Sequence, residues 1–332
     1  MQVTSVINRK SLFYLALIVI AALIPQVVQS RYYMSVLNLA AVYLILAAGL
    51  NIYLGYTGMM GFTQVAFWGI GSYASALGMI NLKMPFWTAL PFAALFTGLI
   101  GFLLAIPSMR RLKRFYLSVT TIGFVEITRL ILENWESLTK GADGLPGIPR
   151  PVLWGIRFNT PHKFYYISLF FVIILTALSY IIKNSRVGLA MQAIREDELA
   201  AEVIGVNTFR YKVLAFTLSA IYGGVAGSLY AHFVGYISPN VYVFQEAVTV
   251  LCMVLIGGSG YVGGPVIGAL LLTIVPEWLR FMNEYKALVY GAAVVVMAVY
   301  MPKGILGATE TLRARIRQRF FGEKNAPVYP GQ

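Results

Sequence analysis

The chain predicts an all-α fold, a polytopic membrane helical bundle of about ten transmembrane or re-entrant helices. Three observations carry that prediction. Of 332 residues, 58% are hydrophobic and 12% are charged, whereas a soluble domain carries about 25% charged residues. Apolar runs of roughly 20 residues, enough to cross a hydrocarbon core of about 30 Å, recur from one end to the other. The net charge of +13 is gathered in short segments between those runs, at Arg110, Arg111, Lys113 and Arg114 and again at Arg313, Arg315, Arg317 and Arg319. Basic loops of this kind mark the cytoplasmic side of a membrane protein, so the charge reads as topology and not as a nucleic-acid surface. A β-barrel would show shorter segments of alternating polarity.

The first run, SLFYLALIVIAALIPQVVQS, follows Arg9 and Lys10. No small-x-small cleavage pattern follows it, so it reads as an uncleaved span over 12–30. Further spans are predicted at 34–54, 60–80, 85–107 and 115–133. An outer segment, 134–163, contains KGADGLPGIPRP (140–151), whose glycines and prolines predict ordered turns. Trp135, Trp154, Tyr165 and Tyr166 fit an interfacial aromatic belt. Spans follow at 164–182, 212–234, 244–258, 264–280 and 286–301. Counted from an inner N-terminus, ten spans put 108–114, 183–211 and 302–332 in the cytoplasm, together with both termini. Residues 1–310 then form one transmembrane domain and 311–332 a basic tail. Parity rests on 244–280, which reads as two short segments around GGSGYVGGP (257–265). Irregular backbone at membrane depth is tolerated where it is buried in protein or lines a cavity.

Several chemistries are excluded. Cys252 is the one cysteine, and His162 and His232 have no partner at ligand spacing, so no metal site is expected. The GxGxxG match from Gly258 to Gly263 lies in a membrane segment without a βαβ unit, so it is not a dinucleotide fingerprint. Neither a P-loop nor an HExxH or GxSxG motif is present; the chain reads as a non-enzyme that binds no ATP itself.

Two glycine-rich interruptions remain, one in each half. The first holds Gly55, Gly58, Gly61, Thr63 and Gln64; the second holds Gly257, Gly258 and Gly260. Paired interruptions are expected of an internal repeat around a central pathway. Close helix packing and cross-helix hydrogen bonding explain the same residues equally well. Glu126 and Arg129, three residues apart on one face of the span 115–133, read as a charge pair facing the bundle interior, or else as a proton relay.

The polar stretch 186–210, RVGLAMQAIREDELAAEVIGVNTFR, separates two apolar spans. Ala190, Ala193, Ile194 and Ala201 form a small apolar face, Arg195, Glu196, Asp197 and Glu198 a charged cluster, and Gly205 suits a helix C-terminal cap. Helices that lie on lipid carry Lys and Arg opposite bulky apolar anchors. This alanine-rich, mixed-charge pattern suits a protein groove better.

Four segments together resemble the inner-membrane permeases of branched-chain amino acid ABC transporters, the LivM type. They are GLNIYLGYTGMMGFTQVAFWGIGSYASA (49–76), KGADGLPGIPRP (140–151), SRVGLAMQAIREDELAAEVIGVN (185–207) and VLIGGSGYVGGPVIGALLLTIVPEWL (254–279). Urea permeases are close relatives. The resemblance implies a bacterial inner-membrane subunit that pairs, within the lipid, with a second, homologous permease of the LivH type. It also implies two cytoplasmic ATPases that hydrolyse the ATP and an extracytoplasmic binding protein that delivers the solute. It places a coupling helix at Ala193 to Gly205, with Arg195, Glu196, Asp197 and Glu198 as polar contacts and Ala200, Ala201 and Gly205 allowing close packing. An ion-coupled carrier using Glu126 and Arg129 is the alternative.

Overall fold

A computed structural model describes residues 19–111, 114–153, 155–278, 291 and 304–308. The predicted span 286–301, apart from Gly291, and the basic tail 311–332 lie outside the described residues. Helical residues 19–27 (α1) lead into α2 (Arg31–Leu50), which passes without a break into a π-helical turn, Asn51–Gly55. Then come α3 (Gln64–Ile80), α4 (Phe86–Arg111), α5 (Arg114–Asn134), the short α6 (Glu136–Thr139) and α7 (Pro161–Asn184). The chain continues through α8 (Arg186–Glu196), α9 (Glu198–Val203), α10 (Thr208–Val234), α11 (Phe244–Gly257) and α12 (Gly264–Trp278). Among the described residues, α2 with its π turn, α4, α7 and α10 are long and apolar enough to cross a membrane.

Burial sorts these helices. The most apolar stretches of α2 and α10 are 72% buried, that of α7 only 28%. The first two are therefore the axis of the bundle and α7 lies at its periphery. Helix α10 packs on α2, α3 and α4. It comes close because both partners present small residues: a Cβ on Gly71 would sit 2.5 Å from the Gly224 Cα, and one on Gly227 would sit 2.4 Å from the Trp68 carbonyl. Polar side chains fasten the same seam. Ser72 donates to the Gly227 carbonyl (3.0 Å), and Ser75 meets Ser228 (2.7 Å) and His232 Nε2 (2.8 Å). His232 Nδ1 donates to the Pro149 carbonyl at 2.7 Å. In a neutral ring that leaves Nε2 as acceptor, so Ser75 is the donor. The histidine thus pins the outer loop to the bundle.

The outer segment is ordered, as its turn residues predict. Leu145–Pro146 (β1) pairs antiparallel with Tyr236–Ile237 (β4), and Val152–Leu153 (β2) with Ile156–Arg157 (β3). The aromatic belt holds only in part. Trp135 and Tyr166 are exposed, Trp154 lies outside the described residues, and Tyr165 is buried with its hydroxyl donating to the Ala21 carbonyl (3.1 Å).

The region 244–280 is two helices, as the parity argument requires. Helix α11, 14 residues long, rises only about 21 Å, short of a full crossing, and it packs against α12. Gly257, Gly264 and Gly268 lie in their contact: a Cβ on Gly257 would stand 1.8 Å from the Gly264 carbonyl oxygen, and one on Gly268 1.8 Å from that of Met253.

Candidate functional site

The polar connection folds as α8 and α9, and its local signals are all used. The Ser185 hydroxyl accepts from Gly188 N, capping α8, and Asp197 Oδ1 accepts from Leu199 N (2.9 Å) and Ala200 N (3.1 Å), capping α9. Gly205, at φ +88°, ends α9. Its N–H bonds to the Glu202 carbonyl (2.9 Å) and that of Val206 to Ala201 (3.0 Å), the paired pattern of a Schellman cap. The sequence places this glycine correctly.

The expected outward face is not the one the fold presents. Gly188, Met191, Ile194 and Ala201 are buried against the body of the protein, and Ala193 is half-buried. The outward apolar surface at α9 is Leu199, Val203 and Ile204, exposed by 74%, 87% and 75%, with Leu189 of α8 exposed as well. Sequence reasoning missed these three, although three large apolar residues in a polar connection were a usable signal. Half of the charged cluster, Arg195 and Glu198, turns inward as well. Asp197 is the cap, and Glu198 pairs with Lys212, which is 8% exposed. Glu196 and Ala200 face solvent.

Arg195 reaches furthest inward. Its guanidinium donates to the Gly55 carbonyl (2.5 Å) at the end of the π turn and to the Ser259 carbonyl (3.4 Å) in the α11–α12 loop. Asn51, in the π turn, holds that loop from the other side. Its Oδ1 accepts from Gly260 N (2.8 Å) and its Nδ2 donates to the Tyr261 carbonyl (3.0 Å). The two glycine-rich interruptions therefore meet each other and meet α8. Two of their glycines make room: Gly260 (φ +86°) would carry a Cβ 2.1 Å from the Arg195 guanidinium, and Gly58 (φ +69°) one 3.1 Å from Arg195 Cγ. The junction lies at the end of the bundle where the basic residues gather. Lys183 stands 5.2 Å from the Tyr261 ring centre, and Arg110, at the end of α4, 5.1 Å from that of Phe209, at the start of α10.

Other expected pathway residues are committed to packing. Gln64 and Ser219 exchange hydrogen bonds: Ser219 Oγ donates to Gln64 Oε1 at 2.7 Å and Gln64 Nε2 to the Ser219 carbonyl at 3.3 Å. Gly61 and Thr63 are buried. Gln64→Leu is expected to lower thermal stability by about 0.6–1.7 kcal/mol, the range of one cross-helix hydrogen bond. Solute KM should stay unchanged; a shifted KM would put Gln64 on the pathway.

The charge pair differs from expectation in two respects. Arg129 binds both Glu126 (2.5 Å) and Glu133 (2.7 Å), a third partner not read from the sequence. The ladder does not face the interior of the chain, since the Glu126 side chain is 48% exposed. Helix α5 buries Leu117, Thr121, Val125, Thr128 and Leu132, a 3.6-period stripe that turns Glu126 the other way.

Residues 32–298 match the family model described as the permease component of branched-chain amino acid transport systems. The chain is 34% identical to the high-affinity branched-chain amino acid transport permease LivM of Escherichia coli K12, over 91% of this chain and 76% of that protein. It is 29% identical to LivH of the same organism, over 82% and 94%. It is 22% identical to the ribose import permease RbsC of Haemophilus influenzae, over 68% and 71%. No solved structure matches.

Proposed function

Because the chain belongs to the family of branched-chain amino acid transport permeases, we propose that it walls half of an amino acid pathway in an ATP-driven importer of the inner membrane. Its solute is leucine, isoleucine, valine or a similar amino acid. The second half is a LivH-type permease, two ATPases dock on the cytoplasmic side, and an extracytoplasmic binding protein delivers the solute.

One observation carries this proposal. A short helix presents Leu199, Val203 and Ile204 to solvent while its neighbour α8 is bonded to both helix interruptions. An exposed apolar patch at the end of a rigid arm fits a groove on a partner. The basic residues at the same end, Lys183, Arg110 and Arg210, support a cytoplasmic position for it by the positive-inside rule. The half-exposed ladder of Glu126, Arg129 and Glu133 supports the second permease, because a charged face within a span is costly against lipid and is acceptable against protein or a water-filled path. All three charges are already paired, so the ion-coupled alternative is not favoured.

Reconstitution tests the proposal. In liposomes the purified chain is expected to hydrolyse no ATP and to take up no leucine under a proton or sodium gradient. Co-expressed with a LivH-type permease, two ATPases and a binding protein, it should support leucine uptake that stops without ATP. Gradient-driven uptake by the chain alone would refute it.

A further inference from the structure

We propose that Arg195, together with Asn51, is the transmission latch of this permease: the bond set through which movement of α8 and α9 reaches both helix interruptions at once. The inference rests on the docking of ATPases at α9 proposed above, and adds the path by which their motion enters the membrane.

The argument starts from orphan carbonyls. A helix that ends or loosens leaves carbonyl oxygens without an intrahelical donor. Gly55 closes the π turn and Ser259 lies between α11 and α12. Two breaks 204 positions apart in sequence (259 less 55) thus offer acceptors, and a single guanidinium from α8 serves both. Arginine suits this task because its planar fork holds several donors in fixed directions, whereas a lysine ammonium is one compact charge on a flexible stem.

Asn51 closes the circuit. It sits on the π turn that Arg195 grips, and bonds the N–H of Gly260 and the carbonyl of Tyr261 in the loop that Arg195 also grips. Helix α8 thus holds the α2 break, the α2 break holds the α11–α12 loop, and that loop is held again by α8. The three bodies have no freedom to move singly: a shift of α8 carries both breaks with it, or breaks charge-assisted bonds. The space around the latch is closed to larger residues, since a Cβ on Gly55 would lie 2.0 Å from Asn51 Oδ1 and one on Gly260 2.1 Å from the Arg195 guanidinium. The neighbouring cap at Asp197 and the Glu198–Lys212 pair hold α9 to the same frame, so motion applied at Leu199 and Val203 arrives at Arg195.

A latch and a mere clasp predict different behaviour, and the intact importer in proteoliposomes separates them. The variants are Arg195→Gln, Arg195→Lys and Asn51→Ala, with Arg186→Gln, exposed at the start of α8, as a control outside the latch. For Arg195→Gln and Asn51→Ala the ATPases should co-purify as with the parent, and ATP hydrolysis should persist. Leucine taken up per ATP hydrolysed should fall by about tenfold or more, the scale of a lost coupling between sites. Arg195→Lys should recover only part of that ratio, and Arg186→Gln should keep all of it. Spin labels on the 259–262 loop supply a second measure: in the parent they shift when ATP is added, and in Arg195→Gln they stay still. An unchanged uptake-to-hydrolysis ratio in Arg195→Gln overturns the latch. So does a parallel fall of hydrolysis, uptake and thermal stability, which marks a folding clasp. Should the parent chain itself fail to hold ATPases, the docking reading fails first and the latch with it.

Discussion

Leu199→Asp combined with Val203→Asp is expected to strip the ATPase subunits from the importer and abolish uptake while leaving the permease folded. The two side chains are 74% and 87% exposed, so the lone chain loses no packing when they become polar. In a desolvated interface the same change removes two buried apolar side chains, each worth about 1.5–3 kcal/mol. Since 1.4 kcal/mol is a factor of ten, docking should weaken by about a thousandfold. The checks are co-purification of the ATPases, leucine uptake in proteoliposomes, and the melting temperature of the permease alone. Wild-type co-purification and uptake would remove α9 from the interface. The same pair tests sequence against structure, because the family resemblance pointed to Arg195, Glu196, Asp197 and Glu198 with Ala200, Ala201 and Gly205 as the contact.

The other large effect is at Gly257. Gly257→Ala places a Cβ 1.8 Å from the Gly264 carbonyl oxygen and 3.0 Å from Gly268 N. Both are backbone atoms of α12 and cannot rotate away, so the hairpin must open. The loss belongs at or beyond the upper end of the 1–3 kcal/mol expected of overpacking. It should appear as a sharp fall in folded yield and melting temperature of the purified chain. Gly123→Ala is the counterpart: it adds the same methyl group to a helix where nothing lies within 4 Å, and should leave stability equal or slightly raised, because alanine is the better helix former. Equal stability of the two variants would show that α11 and α12 are not in contact as described.

The contrast between these glycines shows what a chain discloses in one dimension. Gly257 was legible as part of a glycine-rich interruption because that pattern is local. Gly205 was legible as a cap for the same reason, as were the ordered outer turns of 140–151. The partner of each face was not legible. Ala193, Ile194 and Ala201 share a side of α8 and α9, and periodicity alone reports that sharing. It does not report that the protein's own bundle claims that side and leaves Leu199, Val203 and Ile204 outside. Glu126 and Arg129 were rightly placed on one helix, yet only the buried stripe from Leu117 to Leu132 fixes the direction they face.

Local signals settled the membrane class, the two interruptions, the helix caps and the lack of a P-loop. Each depends on residues a few positions apart, within reach of 3.6-residue periodicity and of the orphan groups at helix ends. The bonds from Arg195 to Gly55 and from Asn51 to Gly260 join residues 140 and 209 positions apart. No spacing rule connects them. They exist because burial of apolar faces brings α2, α8 and the α11–α12 loop to one point, where unsatisfied carbonyls take whichever donors the fold supplies.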